Sequence, residues 1–89
     1  MTGERITVDQ SKAAARTVDG ELMIYDLVSR SFVGGNAAAA RIWPLLERGA
    51  TIAELAAELD SAYGIGEERA AADAEAFVGV LRQRELLLP

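Results

Sequence analysis

The sequence predicts an α+β domain in which a three-stranded antiparallel sheet is followed by three helices. Two observations predict this order. Residues 13–34 alternate short β-branched or aromatic runs with turn dipeptides, whereas residues 37–84 place apolar residues at helical spacing between good helix caps. A run of strands followed by a run of helices is typical of α+β domains. With 89 residues in total, we expect one domain over residues 1–89.

Three short strands are expected in the first half of the chain. Ala13–Val18 is the weakest of them, and Asp19-Gly20 is a tight-turn dipeptide that joins it to Glu21–Asp26, a strand with apolar residues on both faces. Residues 27–30 make the next reversal, and residues 31–34 form the third strand. Its terminal glycines cannot pack a side chain, so we expect this strand at an edge of the sheet.

The first helix is expected over residues 37–47, with Asn36 as its N-cap. Pro44 lies inside this segment, where it lacks an N–H group and crowds the carbonyl of Ala40. We therefore expect a kink or an early end.

The second helix has clear signals at both ends. Thr51 and Glu54 form a capping box, and Gly64 is a fitting stop. The apolar residues that follow the box lie on one helical face: Ile52, Leu55, Ala56, Leu59 and Tyr63.

The third helix is expected to begin near Gly66 and to end near Arg84, with acids in its first turn and arginines in its last. Steps of 100° per residue define one core stripe: Ala70, Ala74, Phe77, Val78 and Leu81. Ala76 and Val80 fall outside that stripe, on the flank that carries Asp73. This apolar flank either covers a loop or lines an open groove, and the elements together predict a winged-helix arrangement.

Composition argues against several classes of function. The chain has no histidine and no cysteine, which removes the usual ligands of zinc, iron and copper, the thiol nucleophile and the commonest general base. The acids are scattered and no serine lies in a nucleophile elbow. We therefore expect a protein that is not an enzyme and that needs no cofactor and no metal.

Charge and hydropathy limit the partners. The net charge is −5 and the basic residues are dispersed, which argues against nucleic-acid binding. The sequence contains no run of 18 apolar residues, and its beginning lacks the apolar core of a signal peptide. We expect a cytoplasmic protein without membrane contact.

The order and spacing of several short motifs resemble the PqqD-like family, the recognition elements for precursors of ribosomally synthesised and modified peptides (RiPPs). The resemblance covers roughly residues 20–88. The matching positions are Tyr25-Asp26, Asn36, Ile42-Trp43, Leu45-Leu46, Gly49 with Thr51, Ile52 and Glu54, Asp73 with Phe77, and Leu86-Leu87. The sequence departs from the family pattern at Arg30, Gly35 and Glu85, where the family usually has Gly, Leu and Gly. These departures concern turn geometry and one core contact near Asn36.

The resemblance implies a non-catalytic module with a winged helix-turn-helix fold that binds the leader region of a precursor peptide. The leader is expected to add as a strand beside the third strand and to lie in the groove between that strand and the third helix. The residues implied at the edge are Ser31, Phe32, Val33 and Gly34. Those implied at the opposite wall are Asp73, Ala76, Phe77 and Val80, with Arg84 available to an acidic leader side chain.

Each of these residues also has a structural interpretation. Phe77 is shared with the core, Asp73 is either a surface carboxylate or a partner for a polar or basic leader residue, and Arg84 suits the helix dipole. We expect Trp43 to be buried in the core rather than to stack on a ligand. Tyr25 and Met23 are expected to pack against the amino-terminal segment or the helices.

Within the family, the chain most resembles the stand-alone leader-binding proteins of lasso-peptide biosynthesis. Their partners are a cysteine-protease-like leader peptidase and a macrolactam-forming cyclase. One alternative is the peptide chaperone of pyrroloquinoline quinone biosynthesis, which serves a radical SAM enzyme. A winged-helix DNA-binding regulator and a structural subunit of a larger complex are further alternatives. The chain is expected as a monomer or as a dimer that exchanges the edge strand.

Overall fold

The computed structural model describes residues 3–89 and shows three antiparallel strands followed by three helices. The elements are β1 (Ala13–Val18), β2 (Glu21–Asp26), β3 (Ser31–Gly35), α1 (Ala37–Arg48), α2 (Ile52–Tyr63) and α3 (Glu67–Gln83). The strand order is β1-β2-β3, so β3 is an edge strand. The predicted α+β class is confirmed. Within residues 3–89, no helix combines the length and the apolar character that a membrane crossing needs.

Successive side chains of each strand point to opposite faces of the sheet, so one face is buried and the other is exposed. Leu22, Ile24 and Val33 are buried beneath the helices. Met23 and Tyr25 therefore point to the outer face, where the Tyr25 ring lies 4.9 Å from the Phe32 ring between centroids. The expectation that Met23 and Tyr25 pack on the amino-terminal segment or the helices is wrong, because their buried neighbours already occupy the inner face.

Helix α1 begins where the sequence predicts and ends one residue after the predicted Glu47. The Asn36 side-chain oxygen accepts a hydrogen bond of 2.9 Å from the Ala39 amide. Pro44 does not end the helix, which continues to Arg48. Pro44 itself is exposed, while Trp43 beside it is 5% exposed and holds the helix on the core. Tertiary packing of the buried face outweighs the hydrogen bond that the proline removes.

Helices α2 and α3 follow their predicted boundaries closely. Both bonds of the Thr51–Glu54 capping box are present, and Gly64 ends α2 in the left-handed conformation at φ 61°. Tyr63 is 48% exposed, because it lies in the last turn where the chain leaves the core. In α3 the predicted core stripe is buried at Ala70, Ala74, Val78 and Leu81, and Phe77 is half-buried.

The segment before β1 packs into the core although the sequence pattern predicts no element there. Ile6 pairs with Ala50 and Val8 pairs with Leu87 in isolated antiparallel bridges. Both side chains are buried, at 5% and 2% exposure. This segment therefore joins the loop between α1 and α2 to the end of the chain.

The three departures from the family pattern coincide with local constraints. Arg30 and Glu85, which replace glycines, adopt the left-handed region with φ 59° and 58°. At Gly35 an added Cβ would lie 2.8 Å from the Ala39 Cβ, which is too close for any larger residue. The expected turn geometry is thus kept at Arg30 and Glu85, with strain that glycine would not have.

Replacing Arg30 or Glu85 by glycine should stabilise the protein. An L-residue in the left-handed region costs about 1–2 kcal/mol, and the greater chain entropy of glycine offsets part of the relief. We expect the free energy of unfolding to rise by about 0.5–1 kcal/mol for each change, measured by urea denaturation. Arg30→Ala and Glu85→Ala are the matched controls, since they remove the side chain but keep the strain. An equal gain in the alanine variants would contradict this account.

Candidate functional site

A groove of about 440 Å³ lies between β3 and α3, and we call it the β3–α3 groove. Its floor consists of small and apolar side chains from α1 and α2: Ala38, Ala39, Ile42 and Leu59. One wall is formed where β3 meets α1, by Gly34, Gly35 and Asn36. The opposite wall is one face of α3, formed by Arg69, Asp73, Ala76, Phe77 and Val80.

The groove stays open because α3 packs chiefly on α2 and lies apart from β3. The first turns of α1 occupy the space between them and supply the floor. Gly34 and Gly35 carry no side chains that could fill the groove from the β3 side. The sequence left two interpretations of the apolar flank of α3: it covers a loop, or it lines an open groove. The structure shows that Ala76 and Val80 line the groove.

The pairing register determines which main-chain groups of β3 are available. A two-residue turn joins β1 to β2, so the pair that closes this hairpin is hydrogen-bonded, and bonding then alternates along β2. The even-numbered residues of β2 therefore bond to β3, where they lie opposite Ser31, Val33 and Gly35. The N–H and C=O groups of Phe32 and Gly34 consequently point to the open edge.

The four predicted edge residues have different roles in this geometry. Phe32 is 63% exposed on the outer face, and Gly34 lines the groove. Val33 is 7% exposed and its main chain bonds to β2, so its predicted place as an edge contact is corrected to a core residue. The Ser31 hydroxyl lies 2.7 Å from that of Ser29 and accepts a hydrogen bond of 3.2 Å from Arg84.

The four residues predicted for the α3 wall all line the groove. Val80 is 41% exposed, so its apolar side chain is accessible from the groove. Phe77 is half-buried and meets Trp43 edge-on, with 6.5 Å between ring centroids. Trp43 is 5% exposed, which confirms its predicted place in the core. Asp73 and Ala76 are exposed on the same face of α3.

Sequence reasoning missed three wall residues, Gly35, Asn36 and Arg69, and the whole floor. Arg69 lies four residues before Asp73, and this helical spacing was the signal that could have placed it on the groove face. The floor residues carried no such signal, because their place beneath the groove depends on how α1 and α2 pack against the sheet and α3. In the described part of the chain, no three His, Cys, Asp or Glu side chains gather as a metal site requires.

Arg84 lies outside the groove lining and connects the end of α3 to the turn between β2 and β3. Its guanidinium donates to the Ser31 hydroxyl and lies 3.8 Å from a carboxylate oxygen of Asp26. Asp26 is 3% exposed, and its other oxygen accepts hydrogen bonds from the Val28 and Ser29 amides at 2.9 and 3.1 Å. The hydrogen bond from the Ser29 amide lowers the pKa of Asp26 against the opposing effect of burial, and Arg84 lowers it further.

Comparison with known proteins identifies the family. The family described as Coenzyme PQQ synthesis protein D (PqqD) matches residues 21–87. The chain belongs to the PqqD family. Among solved structures, the chain is similar to TbiB1 in complex with the TbiA(beta) leader peptide, with a TM-score of 0.78 and 25% identity. That similarity covers 91% of this chain and 93% of TbiB1. No curated protein matches the chain. The predicted resemblance and the three-strand, three-helix PqqD-like fold are both confirmed.

Asp26 should make the free energy of unfolding of this PqqD-family fold decrease at acidic pH. Because its pKa is lowered in the folded state, its contribution is complete above the ordinary value of 3.8 and is lost as the pH falls through the lower folded value. We expect Asp26→Asn to flatten the acid side of a plot of urea midpoint against pH. Asp9 and Glu54, whose pKa values are also lowered by local hydrogen bonds, should preserve part of the slope.

Asp73→Asn is the matched control for this experiment, since Asp73 is exposed on the groove wall. Its acid profile should follow that of the unchanged protein. An Asp26→Asn profile as steep as that of the unchanged protein would show that Asp26 does not carry the predicted share of the acid sensitivity.

Proposed function

We propose that this chain binds the leader region of a ribosomally synthesised precursor peptide in the β3–α3 groove and carries out no chemistry itself. The observation that carries the proposal is an open strand edge beside a groove with an apolar end on α3, in a fold similar to that of TbiB1 solved with a leader peptide. The leader adds as a fourth strand and bonds to the main chain of Phe32 and Gly34. Its side chains on one face dock against Ala76, Phe77 and Val80 of α3.

Strand addition divides the recognition between two kinds of contact. Main-chain hydrogen bonds to an exposed edge give affinity that tolerates many sequences, while side-chain pockets select the peptide. An edge as short as β3 also limits unwanted pairing between copies of the protein. The groove volume of about 440 Å³ accommodates a few side chains of an extended peptide.

We place this binding step in lasso-peptide biosynthesis, where the bound precursor is presented to a cysteine-protease-like leader peptidase and a macrolactam-forming cyclase. The support is the pattern of Asp26-Leu27 in the hairpin and Ile42-Trp43 in the first helix, which most resembles the stand-alone members of that group. The description of the matching family supports a second candidate, delivery of a precursor to a radical SAM enzyme of pyrroloquinoline quinone biosynthesis. In either pathway we propose a cytoplasmic protein, as a monomer or an edge-exchanged dimer.

The charge of α3 disfavours a DNA-binding role for the same fold. A recognition helix that enters a groove lined by phosphates needs basic residues near its start. Here the first turn of α3 carries Glu67 and Glu68. The exposed face that lines the groove adds Asp73 beside Arg69 and is not a basic surface.

The proposal is tested by fluorescence-anisotropy titration of the purified protein with labelled leader peptides encoded by precursor genes near its own gene. Labelled duplex DNA is titrated in parallel at several salt concentrations. We expect saturable binding to one leader, and the pathway of that leader distinguishes the two candidates. Binding to DNA alone, weakened by salt, would replace the proposal with the regulator.

Val80→Glu should abolish leader capture and leave the protein folded. Val80 is 41% exposed on the groove wall, so a carboxylate is tolerated in the free protein but is desolvated when the peptide docks. We expect affinity to fall by at least about tenfold, which corresponds to about 1.4 kcal/mol. Ala72→Glu adds the same charge to an exposed position of α3 outside the groove lining and should bind normally. Equal affinity of the two variants would exclude docking at this wall.

Phe32→Pro should weaken peptide capture through a main-chain effect that adds to the loss of the ring. The Phe32 N–H group points to the open edge, so proline removes a donor for the added strand and spares the pairing with β2. Phe32→Ala removes the same ring and keeps the N–H group, so it is the matched control. We expect a larger loss of affinity for proline than for alanine, with similar urea midpoints. Equal losses would assign the effect to the ring and contradict strand addition at β3.

A further inference from the structure

The α3 wall of the groove has two chemically different ends. Ala76, Phe77 and Val80 form an apolar end, and Arg69 and Asp73 form a charged end. Side chains four residues apart on a helix have Cβ atoms about 5–6 Å apart, so a single peptide side chain can reach both charged groups. Within residues 3–89, no ion pair at 4.0 Å or less includes either Arg69 or Asp73.

The two charged groups require opposite hydrogen-bonding partners in a ligand. The guanidinium of Arg69 only donates hydrogen bonds, and the carboxylate of Asp73 only accepts them. An acidic peptide side chain between them is attracted by Arg69 and repelled by Asp73, and a basic one meets the reverse. The two contributions oppose each other for either sign of charge.

A hydroxyl or carboxamide side chain satisfies both groups at once. A hydroxyl oxygen both donates and accepts, and a carboxamide donates through its NH₂ group and accepts through its oxygen. A carboxamide oxygen accepts from Arg69 while its NH₂ group donates to Asp73. An apolar side chain at the same place would cover both charged groups without replacing the hydrogen bonds that they make to water, which is costly. The discrimination grows as the bound peptide excludes water from the groove.

We propose that the charged end of the β3–α3 groove selects a neutral hydrogen-bonding residue of the peptide, of the hydroxyl or carboxamide class, over acidic, basic and apolar residues. This inference rests on the proposed function and specifies the ligand of the same groove. Arg69 and Asp73 are then specificity-determining residues, while the apolar end and the β3 edge supply most of the affinity.

The test uses the leader peptide that binds most tightly in the titration above. Each of its positions is replaced in turn by Asn, Asp, Lys and Leu, and each peptide is titrated against the unchanged protein. We expect one position at which Asn binds roughly tenfold more tightly than Asp, Lys or Leu, as one or two good hydrogen bonds would give.

Two protein variants should switch that preference. Arg69→Gln leaves only the carboxylate and should favour Lys at the selected position, whereas Asp73→Asn leaves only the guanidinium and should favour Asp. Arg82→Gln is the matched control, since Arg82 is an exposed α3 arginine outside the lining of this groove. It should keep the preference of the unchanged protein.

The outcomes separate this inference from the proposed function. Tight leader binding with the same preferences in the unchanged protein and in both variants overturns the selection of a neutral polar residue, while the binding function stands. Failure of every leader to bind the unchanged protein overturns the proposed function and this inference with it.

Discussion

The architecture of the groove depends on the close approach of α1 to the sheet at Gly35. A Cβ at this position would lie 2.8 Å from the Ala39 Cβ and 3.3 Å from the Leu22 Cβ, so the first turn of α1 rests directly on β2. Because Asn36 caps α1 immediately afterwards, the helix starts where the strand stops. Its first turns then become the groove floor. In this chain, a larger residue at position 35 would require α1 to shift away from the sheet.

At the other end of the groove, polar contacts around a buried carboxylate connect the end of α3 to the turn between β2 and β3. Asp26 organises the turn between β2 and β3 with one oxygen, and its other oxygen faces Arg84 at the end of α3. Arg84 also donates to Ser31 at the start of β3. Burial of a carboxylate is tolerated when hydrogen bonds and a cation compensate it. Close packing at Gly35 and the polar contacts of Asp26 thus hold β3 and α3 at fixed positions with a gap between them.

Local signals predicted the elements well, and long-range packing accounts for what they missed. Turn dipeptides, the Asn36 cap and the capping box at Thr51 each act over a few residues, so the strands and helix starts were predictable. The pairing of Ile6 with Ala50 joins segments far apart in sequence and leaves no periodic pattern to read. Pro44 does not end α1, because burial of its neighbours outweighs its local effect. Helical spacing placed Ala76 and Val80 on one flank of α3, and the family resemblance implied that this flank is a groove wall, whereas the groove floor required the position of α1.

In the proposed mode of binding, the short edge of β3 leaves the selection of the peptide sequence to α3. Only Phe32 and Gly34 offer outward main-chain groups, and such groups do not distinguish one peptide sequence from another. A slip of one residue would turn every peptide side chain to the opposite face, at little cost in main-chain bonding. The wall of α3 opposes such slips, since its apolar end at Val80 and its charged end at Asp73 favour different side chains. In the proposed mode, two unlike ends along α3 therefore define the peptide register that a two-residue edge alone leaves open.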